Sequence, residues 1–173
     1  TGLMGAGRTE LALSLYGNTP GYRVDGEIML KGKPVKFSHP GKAIKSGIAY
    51  VTEDRKGDGL ILIQDVKSNI TIANLQRILN YRLIIDQNAE IKDAREYTNS
   101  LDIKTPSIEQ KVLYLSGGNQ QKVSLAKWLY VAPEVMILDE PTRGIDVGAK
   151  FEIFKIMNQL VDQGMSIIMI SSE

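Results

Sequence analysis

The stretch Val135-Met136-Ile137-Leu138-Asp139-Glu140 most narrows the folds open to this chain. Four successive apolar residues without polar alternation call for burial on both faces. In a chain of mixed elements that describes a central parallel strand covered by helices. The run is bounded by Pro133 on one side and Pro141-Thr142 on the other. It ends in two acids, and the C-terminal edge of such a strand is where open α/β sheets bind their ligands. A strand running into an ordinary acidic turn is the plainer alternative, and two other segments speak against it.

Upstream, Gly2-Leu3-Met4-Gly5-Ala6-Gly7-Arg8-Thr9 has the spacing of a phosphate-binding loop. Its glycines expose a nest of backbone N–H groups, and Thr9 offers a hydroxyl to Mg²⁺ as the first residue of a helix predicted to run to Leu15. The expected lysine is Arg8, and no strand precedes the loop, which points to a fragment. Between the two segments lies Leu115-Ser116-Gly117-Gly118-Asn119-Gln120-Gln121-Lys122. It joins an apolar turn, Val112 to Leu115, to residues 121–130, whose apolar positions recur at helical spacing. Ser116 is a good N-cap, and the paired glycines let another molecule approach the backbone. A helix start presents free N–H groups and the positive end of the dipole, which suits a phosphate. A bare Ser-Gly-Gly would be an ordinary capped helix; its place between the other two segments argues for a site.

The remaining chain supplies an α/β frame. Gly17 to Gly21 is a turn, and 27–31 and 33–37 alternate around Gly32 as a hairpin. His39 before Pro40 is a surface residue. Ala43 to Ser46 is a helical turn ended by Gly47, and Ile48 to Val51 is a buried strand. The charged stretch Thr52 to Gly59 follows it and reads as a solvated loop. From Asp65 to about Asp102 the pattern is helical and polar, with Val66, Ile70, Ala73 and Ile78 as buried candidates; Arg82 to Ile85 fits helix or strand. A helix over 147–163 carries Ile153, Ile156, Met157 and Leu160 on one face, Gly164 ends it, and Ser166 to Ile170 is another buried strand.

With 173 residues, 43% of them hydrophobic, the chain can bury a core of its own. A formal net charge of +1 gives no field suited to nucleic acid or a polybasic membrane patch. There is no cysteine and one histidine, so neither a disulfide scaffold nor a usual zinc site can be built. No apolar run has the length of a membrane span, and residues 1–5 have none of the features of a signal peptide.

LSGGNQQK resembles the signature motif of ATP-binding cassette (ABC) ATPases. With GLMGAGRTEL, GIAYVTEDRKGDGL and LDEPTRGIDVGAK, nearly the whole chain resembles the second ABC domain of bacterial monosaccharide importers of the ribose, galactose and xylose group. The resemblance implies a P-loop NTPase, RecA-like core with an antiparallel β part and a helical subdomain, incomplete at both ends. Core and β part would be 1–64 and 123–173, and the helical subdomain 65–122. It implies ATP and Mg²⁺ at Gly2, Gly5, Ala6, Gly7, Arg8, Thr9, Glu53, Asp139 and Ser172, the metal on Thr9, Glu53 and Asp139, and Glu140 as the group that activates water. Leu115, Ser116, Gly117, Gly118 and Gln120 would act in trans on the ATP of a partner ABC domain, and Asp146 of the D-loop would couple the two sites. Three positions depart from the family pattern. Arg8 replaces a lysine, Glu53 a glutamine and Ser172 a histidine, which implies a degenerate P-loop site. The partners implied are an ABC domain in the same parent chain, membrane permease subunits and a periplasmic or extracellular sugar-binding protein, at the cytoplasmic face of the plasma membrane. Two alternatives stand: a regulatory domain that does not hydrolyse ATP, and a soluble ABC protein uncoupled from transport.

Overall fold

The computed structural model describes residues 7–172 except 20, 22, 82 and 83. Gly7, with φ 76, is the N-cap of α1 (Arg8–Tyr16), whose opening matches the helix predicted from Thr9. The alternating runs form the antiparallel hairpin β1 (Ile28–Leu30) and β2 (Lys33–Val35). Exposed His39 caps the short helix α2 (Pro40–Lys45), which leads into β3 (Ile48–Val51), buried along its whole length. After β3 the chain makes a single π-helical turn, Arg55–Gly59.

The segment expected to be one polar helical stretch is instead broken. Helix α3 (Val66–Thr71) runs into a tighter 3₁₀ stretch, Ile72–Ile78, which contains a non-helical residue, Asn74, at φ −148 and ψ 66. Strands β4 (Leu79–Asn80) and β5 (Ile84–Ile85) then pair antiparallel, which settles the ambiguity of residues 84 and 85 in favour of strand. Helix α4 (Gln87–Ser100) begins at Asp86, whose carboxylate accepts from the amides of Asn88 and Ala89. Val66, Ile70 and Ile78 are buried as expected, while Ala73 is only half-buried. Lys67 pairs with Glu90 at 2.8 Å and the Thr71 hydroxyl donates to the same carboxylate at 3.0 Å, so α3 and α4 are joined by a buried polar contact as well as by packing.

A 3₁₀ turn, Val112–Tyr114, precedes α5 (Gly117–Leu129). The apolar run is β6 (Val135–Asp139), followed by α6 (Val147–Asp162) and β7 (Ser166–Ile170). Among the described residues β6 is the centre of a three-stranded parallel sheet of order β3-β6-β7, as its uninterrupted apolar pattern requires. Alternate side chains serve opposite faces. Met136 and Leu138 join Val51 in the larger core with α3, α5 and α6, while Ile137 joins Ile48 and Tyr50 against Ala12, Tyr16 and Ala43. The larger core takes Val66, Ile70 and Ile78 together with Leu138 and Ile153, so one apolar cluster runs from segment 65–122 into the sheet. Strand β7 departs from expectation. Ile168 and Met169 are 43% and 45% exposed, because among the described residues β7 pairs only with β6.

Candidate functional site

The C-terminal edge of the sheet and the start of α1 converge on a cavity of about 340 Å³, lined by Gly7, Arg8, Thr9, Glu10, Glu53, Asp139, Glu140, Arg143, Ile170 and Ser172. The structure thus brings together Gly7, Arg8, Thr9, Glu53, Asp139, Glu140 and Ser172 from four separate parts of the sequence. Gly2, Gly5 and Ala6 lie outside the described residues.

Asp139 ends β6 and is fully buried. Its Oδ2 accepts a hydrogen bond of 2.8 Å from the hydroxyl of Tyr50 on the neighbouring strand β3. Burial, and then the hydrogen bond and charge of Asp139, push the Tyr50 pKa well up, so this hydroxyl stays a donor. The other oxygen, Oδ1, is buried with no hydrogen-bond partner. A buried carboxylate oxygen without a donor is costly, and a hard cation with oxygen ligands relieves that cost. The donor set of Asp139, Thr9 and Glu53 around one cavity therefore fits Mg²⁺, although no group of three or more such ligands forms a ready cage among the described residues. Tyr50→Phe is expected to destabilise the fold by about 1–3 kcal/mol, because it strips the remaining donor from a buried carboxylate. Urea unfolding checks this, and a loss below about 0.5 kcal/mol would mean that water replaces the hydroxyl.

Glu140 has φ 45, a left-handed backbone for a residue with a side chain. Such a conformation costs on the order of 1–3 kcal/mol and persists only where its surroundings hold it. Here the Glu140 amide donates to the Ile170 carbonyl at 2.9 Å, and its own carbonyl accepts from Arg143 N at 3.1 Å. The strain turns the carboxylate off the strand and into the cavity. Arg8 comes from the opposite wall. Its Nη1 donates to the Ser171 carbonyl at 2.9 Å, and Nη2 stands 4.0 Å from Glu140 Oε1. Arg8 is thus turned onto the residue that follows β7 and toward the acid. Glu53 lines the same cavity, with its carboxylate paired to the side chain of Arg143.

The signature residues form a second group that does not line this cavity. Ser116 is exposed and caps α5. Its Oγ accepts from Asn119 N at 3.4 Å and from Asn119 Nδ2 at 3.0 Å. The amides of Gly117 and Gly118, ahead of the capped one, have no carbonyl of their own helix to bond, as at every helix start. Gly118 is needed for space: a Cβ there would lie 2.5 Å from the Cβ of Ala149 on α6. Leu115 packs against the larger core, and Gln120 is buried, with Nε2 donating to the Val112 carbonyl at 3.1 Å. Exposed Asp146 caps α6 through the Ala149 amide at 2.9 Å.

Sequence reasoning passed over three residues that the structure places at these sites. Tyr50 and Arg143 gave no motif signal of their own. Arg55 sits in the stretch read as a solvated loop, yet it is buried, with its guanidinium donating to the carbonyls of Arg143 and Gly144. Burial lowers its pKa, and an arginine remains a cation even so.

A model of the ABC transporter family matches residues 1–143. The chain is 56% identical over 172 residues to the L-arabinose transport ATP-binding protein AraG of Geobacillus stearothermophilus, an alignment covering 99% of this chain and 33% of that protein. It is 59% identical to the xylose import ATP-binding protein XylG of Thermoanaerobacter pseudethanolicus, covering 99% and 34%. It is 51% identical to the ribose import ATP-binding protein RbsA of Clostridium perfringens, again covering 99% and 34%. The chain thus spans about a third of the length of these curated relatives. Among solved structures, a nucleotide-free ATP-binding cassette from an ABC transporter superposes with a TM-score of 0.81 at 17% identity, covering 98% of this chain and 67% of that one. The cbiO1 protein of Clostridium perfringens, part of the cbiONQ ABC transporter complex, superposes with a TM-score of 0.77 at 22% identity, covering 99% and 65%. At these identities the structural likeness concerns the fold.

Proposed function

We propose, because this chain belongs to the ABC transporter family, that it is an ATP-binding and ATP-hydrolysing domain that powers import of a monosaccharide. The names of its relatives support a sugar of the arabinose, xylose and ribose class. On the same reading it works at the cytoplasmic face of a bacterial plasma membrane, against permease subunits fed by a sugar-binding protein. On this reading the path for the sugar belongs to those partners; no helix among the described residues is long and apolar enough to cross a membrane. Segment 65–122 would be the helical subdomain, ending in the signature stretch.

The single observation that carries the mechanistic reading is the separation of the two groups of site residues. The start of α5, with Ser116 exposed, lies apart from the cavity of Gly7, Thr9 and Asp139. A helix start that faces outward is suited to the γ-phosphate of a nucleotide held by another domain. The local cavity holds this domain's own ATP, on the amide of Gly7 and the side chains of Arg8 and Thr9. Mg²⁺, held by Thr9 and Asp139 beside Glu53, would supply charge neutralisation and orientation of the β- and γ-phosphates when bound. Tyr50 keeps Asp139 in place by occupying one of its oxygens, and Glu140 is turned toward the position of the attacking water. Arg8 weakens this site as a catalyst. Its guanidinium must leave the Ser171 carbonyl to reach a phosphate, and it stands 4.0 Å from the carboxylate of Glu140.

Two measurements test the proposal. Calorimetry on the full-length protein should show ATP affinity at this site falling several-fold with Arg8→Ala and further with Thr9→Ala, on the order of 1 kcal/mol for each lost contact. A deletion strain should lose uptake of one pentose, restored by the wild-type gene. Undiminished pentose uptake beside lost transport of another solute overturns the substrate class, and ATP affinity indifferent to both substitutions overturns the site.

A further inference from the structure

We infer that Arg55 is a positioning residue: its buried guanidinium ties the loop after β3 to residues 143–144 and to the start of α5, and so sets where the signature amides stand. This rests on the proposed function, in which those amides act on a partner domain's nucleotide.

The tie begins in a turn that is itself held. Asp54 Oδ1 accepts from the amides of Lys56 and Gly57 at 3.2 and 2.9 Å, which fixes the π-helical turn on which Arg55 sits. From that turn the Arg55 side chain leaves a charged surface and becomes 91% covered, at a relative exposure of 9%. Nη1 donates to the Arg143 carbonyl at 2.8 Å and Nη2 to the Gly144 carbonyl at 3.1 Å. Both acceptors are backbone atoms, so the contact orients a chain segment rather than neutralising an acid. The neighbouring Glu53 pairs with the side chain of the same Arg143. One loop thus grips residue 143 by its backbone and by its side chain.

The third party is α5. A Cβ on Gly117 would stand 3.0 Å from Arg55 Nη2, 3.3 Å from the Gly144 carbonyl oxygen and 3.4 Å from Ile145 Cγ2. The guanidinium, residues 144–145 and the first residue of α5 are therefore packed so closely that a methyl group there would make them give by a few tenths of an ångström. Arg55 Nε is buried without a partner, so the fork is committed to the two carbonyls although one of its donors goes unused. A lysine could not reproduce this, because an ammonium is a single point of donors where the guanidinium is a planar fork. Displacement of a catalytic group by about 1 Å can cost on the order of 10²-fold in rate, which is the scale on which such a tie acts.

The test is a double-mutant cycle in the full-length protein, with Arg55→Met and Ser116→Ala singly and together, and Arg55→Lys as the variant that keeps charge and stem. Steady-state ATPase and binding of a fluorescent ATP analogue are read for each. Arg55→Met should lower kcat by about 10- to 100-fold, with KM and analogue affinity within about threefold of wild type. Arg55→Lys should recover no more than about a tenth of the wild-type kcat while melting with it. In the Ser116→Ala background, where the cap that holds the first turn of α5 is already lost, Arg55→Met should cost less than about twofold. Wild-type kcat in Arg55→Lys, or losses that multiply in the cycle, overturns the tie alone. A silent Ser116→Ala overturns the trans reading and the tie with it.

Discussion

Replacing Ser116 with arginine in the full-length protein should lower ATP turnover by roughly 10²–10³-fold, the scale of losing one preorganised donor to a developing charge. The residue is exposed at the start of α5, so the substitution does not disturb a core. It does remove the Oγ that accepts from Asn119 N at 3.4 Å and Asn119 Nδ2 at 3.0 Å, and it places a long cation where, on the proposed function, a phosphate approaches two glycine amides. Glu140→Gln should behave differently and leave a substantial fraction of turnover. Its carboxylate lies 4.0 Å from Arg8 in a site that Ser172 also lines. Steady-state hydrolysis with saturating Mg-ATP compares the two. Activity surviving Ser116→Arg but lost in Glu140→Gln would reverse the assignment of roles.

Leu138→Ala should be the most destabilising single truncation on the central strand, at about 2–5 kcal/mol. Leu138 is fully buried on β6 and belongs to the cluster that also holds Ile70 and Ile153, so the cavity it leaves cannot collapse without moving both the sheet and the helices. For a domain of this size that corresponds to a fall in Tm of about 4–20 °C. Met169→Ala on β7, where the side chain is 45% exposed, should cost less than about 1 kcal/mol. Calorimetric melting of the variants separates the two positions. Ile70→Ala should lower the same transition as Leu138→Ala, because one apolar cluster contains both residues; two separate transitions would show that 65–122 unfolds on its own.

Much of this was legible wherever the signal was local. Four apolar residues in a row made β6 a doubly covered strand, and the structure places it between β3 and β7. Ser116, read as an N-cap, does cap α5 through the Asn119 amide three residues on. The broken segment after Asp65 was not legible. Its polar residues are compatible with a continuous helix, and the bend at Asn74 lies between Ile70 and Ile78, which share one core. In the loop at 52–59 Asp54, Lys56, Gly57 and Asp58 are exposed as expected, and Arg55 is the charged residue that departs. A run of charges is usually solvated, and the acceptors that bury Arg55 stand 88 and 89 residues away.

Outside the segment after Asp65, the sequence by itself determined the main elements and the chemical types at the site: glycines before α1, an acid pair at the end of β6 and a capped glycine start to α5. These depend on spacing over a few residues, which the chain carries along its own length. Only the tertiary structure decided what those groups touch. It placed the Tyr50 hydroxyl on Asp139 across 89 residues, turned Arg8 onto the Ser171 carbonyl across 163, and left Asp139 Oδ1 buried without a partner. Parallel pairing of β3, β6 and β7 brings distant strand ends to one edge, and no periodicity in the chain encodes which side chains then meet there.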